Sequence, residues 1–379
     1  MASLAKSESF FVIYYGKCGK IYKIMKTEIV FIDENNIDRD IIDRAGDIIK
    51  RGGLVAFPTE TVYGLGGDAL NRESSRKIYA AKGRPSDNPL IVHIADMEAL
   101  DRIVSDIPAS ALKLADYFWP GPLTMIFFKS DAVPYDTTGG LDTVAVRMPV
   151  DSVARAFIRA SGGYVAAPSA NISGRPSPTS ARFVEEDMDG RIDMIIKGDD
   201  SRIGLESTIV DITSEKPMIL RPGYITKEML EEVVGEVTID PTILDAACTE
   251  RPKAPGMRYR HYAPKGDLTV VKGPEDEVVE YINLACASME SSGKKVGVIA
   301  TGENVSNYSC ANIKCVGSRT DEEEIAHRLY SILREFDDED MEVIYSEAFD
   351  EGGLGGAIMN RLLKAAGHQV IDLRQEEEE

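Results

Sequence analysis

The 379-residue sequence has no CxxC pair, no HExxH or HxxxH, and no GxxxxGK[ST] phosphate loop. Its five cysteines (Cys18, Cys248, Cys286, Cys310, Cys315) and four histidines are scattered, which excludes a disulfide framework and a zinc site and points to a reducing cytoplasm. Long hydrophobic runs are missing as well. The early apolar run at residues 10–15 is shorter than a membrane span and precedes no small-residue cleavage site. Residues 1–24 are expected to form an irregular extension, with Met25 an alternative start. Internal repeats are absent, and low complexity is confined to the acidic run 376–379.

What is present is an ordinary globular composition, 43% apolar and 28% charged, long enough for two domains. The net charge of −20 is unevenly placed, because residues 265–379 hold 11 basic against 25 acidic side chains. So acidic a half repels a polyphosphate backbone and excludes stable nucleic-acid binding there. A few placed cations still suffice for a nucleotide.

Ile41, Ile42, Ala45, Ile48 and Ile49 recur at helical spacing and end at Gly52-Gly53, predicting a helix that leads into a strand at 54–57. Further strands are predicted at 90–94, 123–128, 144–148, 164–167, 194–197, 208–212 and 218–220, with helices at 74–82 and 152–160. Their uneven order predicts an α/β fold with an open, twisted mixed sheet over residues 25–236. Residues 237–265, ending in the Pro- and Tyr-rich PKAPGMRYRHYAPK, read as a linker. Strands at 268–271, 296–300, 313–316, 343–345 and 370–373 then predict a smaller, Rossmann-like parallel α/β domain over 266–379.

Chemistry-bearing residues cluster after these strands. PTETVYGL (58–65) presents Thr59, Thr61 and Tyr63 beside a glycine turn, a setting that suits a small zwitterion or a phosphate but that, taken alone, reads first as a glycine-capped loop whose threonines satisfy local backbone groups. KGRPSDNPL (82–90) holds Lys82 and Arg84, which could neutralise triphosphate oxygens, with Asn88 close by. His93 sits in an apolar strand. Alternation puts Thr143, Ala145 and Arg147 of the next motif on one strand face, where a buried cation needs an anionic partner. PSANISG (168–174) supplies Ser169 and Asn171, and Ser177 follows; GLESTIVD and LRPG add Ser207 and Arg221 at strand ends, where open sheets place ligands.

Taken in order, PTETVYGL, KGRPSDNPL, AVRMP, PSANISG, GLESTIVD and LRPG resemble the YrdC-type threonylcarbamoyl-AMP synthases. PGMRYRHYAPKG (255–266) and EGGLGGAIMNRLLKAAG (351–367) resemble the linker and C-terminal domain of that family's long branch. The resemblance implies a nucleotidyltransferase that makes L-threonylcarbamoyl-AMP and pyrophosphate from L-threonine, bicarbonate or carbon dioxide, and ATP. The product serves modification of adenosine 37 in tRNA by a separate transferase. By the resemblance, Thr61, His93, Arg147, Ala167 and Ser207 hold threonine, with Arg147 on its carboxylate. Arg84, Asn88, Thr143, Ser169, Ser177, Arg221 and the linker's Tyr259 bind ATP, and Lys82 assists its phosphates, so that Lys82 and Arg84 carry the catalytic role.

No side chain stands out as a nucleophile, and the substrates are expected to supply every nucleophile themselves. Mg²⁺ is expected with ATP and not at a protein-only site, Glu60 and Glu206 being the nearest acidic candidates. The linker residues 258–262 are expected to cover the nucleotide. Hydrogenase maturation factors with a similar domain carry paired-cysteine zinc motifs, which this sequence lacks. The run Gly352 to Ala357 fits a Rossmann phosphate loop poorly, since it precedes the last strand, and reads as a close helix–strand turn.

Overall fold

Short runs of Val, Ile, Leu and Phe, bounded by Gly, Pro and Asn, become strands, and they gather into two main sheets. A computed structural model describes residues 11–14, 21–24, 26–243, 254 and 261–374. The larger sheet has eleven strands. From one edge they run Glu28–Phe31, Met194–Lys197, Val55–Phe57, Gly64–Asp68, Val165–Ala166, Ile91–His93, Thr143–Arg147, Leu123–Phe128, Thr208–Asp211, Met218–Arg221 and Thr238–Ile239. Parallel and antiparallel neighbours alternate irregularly, so the sheet is mixed and not doubly wound.

Register brings distant segments together. His93 lies opposite Arg147, Arg147 opposite Thr124, Thr124 opposite Ile209, and Ile209 opposite Arg221. Directly paired residues share a sheet face, so one row across five strands carries an imidazole, two guanidiniums and a hydroxyl on the same side.

Behind the sheet, helix Arg39–Lys50 starts where the Asp38 side chain accepts from Asp40 N and Ile41 N, an N-cap that satisfies two otherwise orphaned donors. Its buried face, Ile42, Ala45 and Ile49, joins Phe157 of helix Ser152–Ala160 around Phe57, which has no solvent exposure. Burying a ring of that size contributes about 1.5–3 kcal/mol.

The second sheet is parallel throughout, in the order Asn312–Gly317, Val296–Thr301, Val343–Glu347, Asp267–Lys272, Val370–Asp372. Helices Glu275–Ser291, Glu322–Asp338 and Gly353–Ala365 flank it. The two units meet closely. Gly204, at φ 82°, would carry a Cβ 2.5 Å from the His327 Cα, so a side chain there would push the C-terminal unit away.

Several expectations are corrected. The described parts of residues 1–24 form an antiparallel pair, Phe11–Tyr14 with Ile21–Ile24, because both stretches are rich in β-branched and aromatic residues. Gly64–Asp68, read as a turn, is a central strand. Glycine is poor in strands, but a Cβ on Gly66 would sit 2.9 Å from Val165 Cγ1, so close packing and not propensity decides. Thr238–Ile239 extends the main sheet into what reads as linker. The glycine run after Glu351 forms the first turn of helix Gly353–Ala365 and not a turn ahead of it. No helix among the described residues is long and apolar enough to cross a membrane.

Candidate active site

His93, Arg147 and Arg221 of this polar row line a cavity whose wall also takes in His261 and Tyr262, where the chain returns from the linker. The loop after Val55–Phe57 forms one wall. Arg147 Nη1 donates to Thr61 Oγ1 (2.7 Å), Thr61 lies 3.0 Å from Thr59 Oγ1, and Thr59 donates to Val62 O (2.6 Å). Since Thr59 gives its only proton to Val62, Thr61 must donate to Thr59 and accept from Arg147. Arg147 also pairs through Nη2 with Glu60 Oε1 (2.6 Å) and reaches Gly121 O through Nε (3.3 Å). Its exposure is 4%. The required partner for a buried cation is therefore Glu60, which leaves further guanidinium N–H groups for a ligand.

His93 Nδ1 lies 3.2 Å from Ile91 O. Burial first, and the Arg147 charge second, push its pKa down to about 3, so the ring is neutral at physiological pH. A neutral ring carries one proton and the Ile91 carbonyl can only accept, so the Nδ1–H tautomer donates there and leaves Nε2 as an acceptor. Ala167 completes this wall, its N–H donating to Ile91 O (2.8 Å). On the other side, Ser207 Oγ lies 2.7 Å from Thr124 Oγ1 and accepts from Arg221 Nη2 (3.1 Å).

Lys82 lines the cavity but is 2% exposed. Its ammonium donates to Ser169 O, to Asn171 O (2.5 Å) and to Asn171 Oδ1 (3.3 Å). All three donors go to one loop, so Lys82 shapes the PSAN turn in this structure, and burial pushes its pKa well below the lysine range. Ser169 Oγ donates to the same Asn171 Oδ1 (2.5 Å). Arg84 is aimed by Asn88, which accepts from its Nη2 (2.6 Å) and Nε (3.2 Å).

Asn88 itself is outside the cavity wall, and so is Thr143, four residues before Arg147 and thus roughly 13 Å along the strand. Ser177 is in the wall, and its hydroxyl donates to Glu206 Oε1 (2.5 Å). Tyr259 lies outside the described residues, as do Arg258 and Arg260. Linker residue Ala254 is fully buried among Ile91, Ile126, Ala145 and Ile209 on the sheet face that bears the site.

A family described as telomere recombination, Sua5/YciO/YrdC, matches residues 47–223, and one described as the threonylcarbamoyl-AMP synthase C-terminal domain matches residues 225–367. Threonylcarbamoyl-AMP synthase of Pyrococcus abyssi is 49% identical over 327 residues, covering 86% of this chain and 94% of the relative. The chain belongs to the threonylcarbamoyl-AMP synthase family. The Bacillus subtilis synthase is 45% identical over 351 residues, 92% of this chain and 100% of its own. The crystal structure of Pyrococcus abyssi Sua5 complexed with L-threonine superposes with a TM-score of 0.87 at 48% identity, covering 92% of this chain and 100% of that one.

For a threonylcarbamoyl-AMP synthase, the sequence motifs leave out several residues that complete the site. Thr124 is hidden in the apolar run LTMIFF and becomes visible only through its pairing with Arg147. Glu206 is no free carboxylate. It pairs with Arg361 Nε (2.8 Å) and accepts from Tyr330 Oη (3.0 Å), both from the C-terminal domain. Asp187 likewise joins Arg175 to Arg334. Nothing in the sequence marked Arg334 and Arg361, because only the structure shows that these helix positions are fully buried and must therefore be paired.

Proposed function

We propose that this cavity condenses L-threonine, bicarbonate or carbon dioxide, and ATP into L-threonylcarbamoyl-AMP and pyrophosphate. The observation that carries the reading is the buried polar row: Arg147, held by Glu60 and Thr61 with N–H groups to spare, stands beside a neutral His93, and Arg221 closes the same row three strands away. A zwitterion fits at one end of such a row and a polyphosphate at the other.

Threonine is placed at Thr61, His93, Arg147, Ala167 and Ser207, its carboxylate on Arg147 and its ammonium or amine toward acceptors such as His93 Nε2. ATP lies along Arg84, Ser169, Ser177 and Arg221. Asn88 contributes by aiming Arg84, and Thr143, farther along its strand, together with the linker's Tyr259 completes the nucleotide set. The threonine nitrogen attacks the carbon of CO₂ and loses a proton. A carbamate oxygen then attacks the α-phosphorus, and the bond to the bridging oxygen breaks as pyrophosphate leaves. No protein nucleophile is required, so catalysis consists of holding the reactants together and stabilising phosphate charge.

The carboxylates nearest the cavity are committed, Glu60 to Arg147 and Glu206 to Arg361. This donor set does not suit a protein-held Mg²⁺, and the ion enters only as the counter-ion of ATP. The product passes to a separate tRNA threonylcarbamoyl transferase, consistent with a chain too acidic to hold tRNA by itself. The test is pyrophosphate release by the purified protein. Release is expected only when ATP, threonine and bicarbonate are all supplied, and release without threonine or bicarbonate would sink the reading.

A further inference from the structure

Two arginines of the C-terminal domain with no solvent exposure cross to the catalytic domain, Arg334 to Pro176 and Arg361 to Glu206, on either side of the cavity-wall residue Ser177. Arg334, from helix Glu322–Asp338, donates through Nε (3.0 Å) and Nη2 (2.6 Å) to Pro176 O. It also reaches both oxygens of Asp187 (3.1 and 2.7 Å). Arg361, from helix Gly353–Ala365, donates to Glu206 Oε2 (2.8 Å), and Tyr330 donates to the same oxygen (3.0 Å). Between these two grips lies Ser177, which follows Pro176 in the chain and gives its hydroxyl proton to Glu206 Oε1 (2.5 Å).

A serine hydroxyl has one proton and two lone pairs. With the proton committed to Glu206, Ser177 Oγ meets a ligand as an acceptor only. It then suits an O–H or N–H of the nucleoside portion, a ribose hydroxyl or the adenine amine, and cannot bond a phosphate oxygen. Glu206 is kept ionised for this purpose. Burial would raise its pKa, but Arg361, Arg221 and the Ser177 hydroxyl together hold it down to about 2.

We infer that Arg361 and Tyr330 of the C-terminal domain are positioning residues for the nucleotide, acting through Glu206 to fix Ser177 as an acceptor while Arg334 fixes the backbone beside it. The inference rests on the reading of this cavity as an ATP site and adds to it a function for the second domain. Most of the threonine end stands apart from this device, since the side-chain bonds of Thr61, His93 and Arg147 stay within the catalytic domain, and only Ser207, next to Glu206, adjoins it.

The experiment is calorimetric titration of Mg-ATP and, separately, of threonine into the full-length wild type, Tyr330→Phe, Arg361→Gln, Ser177→Ala and the double variant Ser177→Ala/Arg361→Gln. ATP binding is expected to weaken about tenfold or more in Arg361→Gln and about threefold in Tyr330→Phe, with threonine binding weakened less than ATP binding in each. The double variant should bind ATP no more weakly than Arg361→Gln, because both changes cut one chain of bonds. Additive losses in the double variant, or wild-type ATP affinity in folded Arg361→Gln, would overturn the inference. Where Arg361→Gln does not fold, Tyr330→Phe decides, and full ATP affinity there overturns it as well. A wild type that binds no ATP would instead remove the proposed function, and this inference with it.

Discussion

The two sheets of this chain differ in what surrounds their buried polar groups. In the catalytic domain, Arg147, His93, Ser207 and Arg221 border a cavity, and Glu60 Oε2 is buried with no hydrogen-bond partner. In the C-terminal domain, the crevice at the carboxyl ends of the parallel strands is where an open α/β sheet would take a ligand. That crevice is filled by the domain's own side chains. Glu347, 1% exposed, accepts from Thr301 N (3.0 Å), Thr301 Oγ1 (3.0 Å), Asn304 Nδ2 (3.2 Å) and Arg319 Nη2 (2.5 Å). The first domain sets its polar row beside a cavity, whereas the second turns the groups around Glu347 on one another, although Arg319 Nε and Asp337 Oδ2 of that domain are also buried without a hydrogen bond. Ligand chemistry belongs where incompletely bonded buried polar groups border a cavity, because burial makes each missing bond cost about 1–3 kcal/mol until a ligand supplies it.

Arg147→Met is the strongest test of the contrast. It removes the cation from the threonine end and strands Glu60 as a buried charge. Threonine-dependent pyrophosphate release is expected to fall about 100-fold or more, and denaturant unfolding should show a loss of about 3–5 kcal/mol. Turnover within tenfold of wild type would break the comparison.

Glu347→Gln probes the other side. It puts an amide donor among groups that all donate, at a cost of about 2–3 kcal/mol in stability. Well below the lowered melting temperature, kcat/KM for threonine and for ATP should equal the wild type, and a selective loss of either would mean that the second crevice takes part in the reaction.

Asp151→Asn carries the smallest expected effect. Asp151 caps helix Ser152–Ala160 by accepting from Ala154 N (2.7 Å). Burial, with the charges of Glu60 and Glu34 behind it, pushes its pKa up to about 6. A carboxyl with a raised folded pKa binds its proton more tightly in the native state, so its contribution is favourable at low pH and is lost as pH rises through about 6. Asparagine keeps the capping acceptor without the charge. At pH 7 the variant should therefore be more stable, by something on the order of 1 kcal/mol, and melting curves at pH 4 should show no gain. A gain equal at both pH values would contradict the assigned cause.

Much of the fold was legible because it rests on local pattern. The apolar runs around Val55, Val92, Met125 and Ile195 announced strands, and the Ile spacing at 41–49 announced a helix. Gly64–Asp68 was not legible, because three glycines in five residues argue against a strand until Phe57 and Val165 are known to press on it. At the site, the motifs marked Thr61, Arg147, Ser169 and Arg221. Lys82 was also marked, but three loop oxygens take its donors, and no local pattern shows that. Thr124 looked like any strand residue, and Arg361 like any surface arginine on a helix.

The sequence by itself determined which segments are strands and helices, which loops carry hydroxyls and cations, and to which family the chain belongs. These properties follow from neighbours a few residues apart. Tertiary structure alone decided how the polar side chains pair. Arg147 meets Thr61 across 86 positions and Arg361 meets Glu206 across 155. The register of an eleven-stranded sheet and the docking of a second domain set those meetings, and neither leaves a mark in local sequence, because a buried charge names its need for a partner but not the partner's place in the chain.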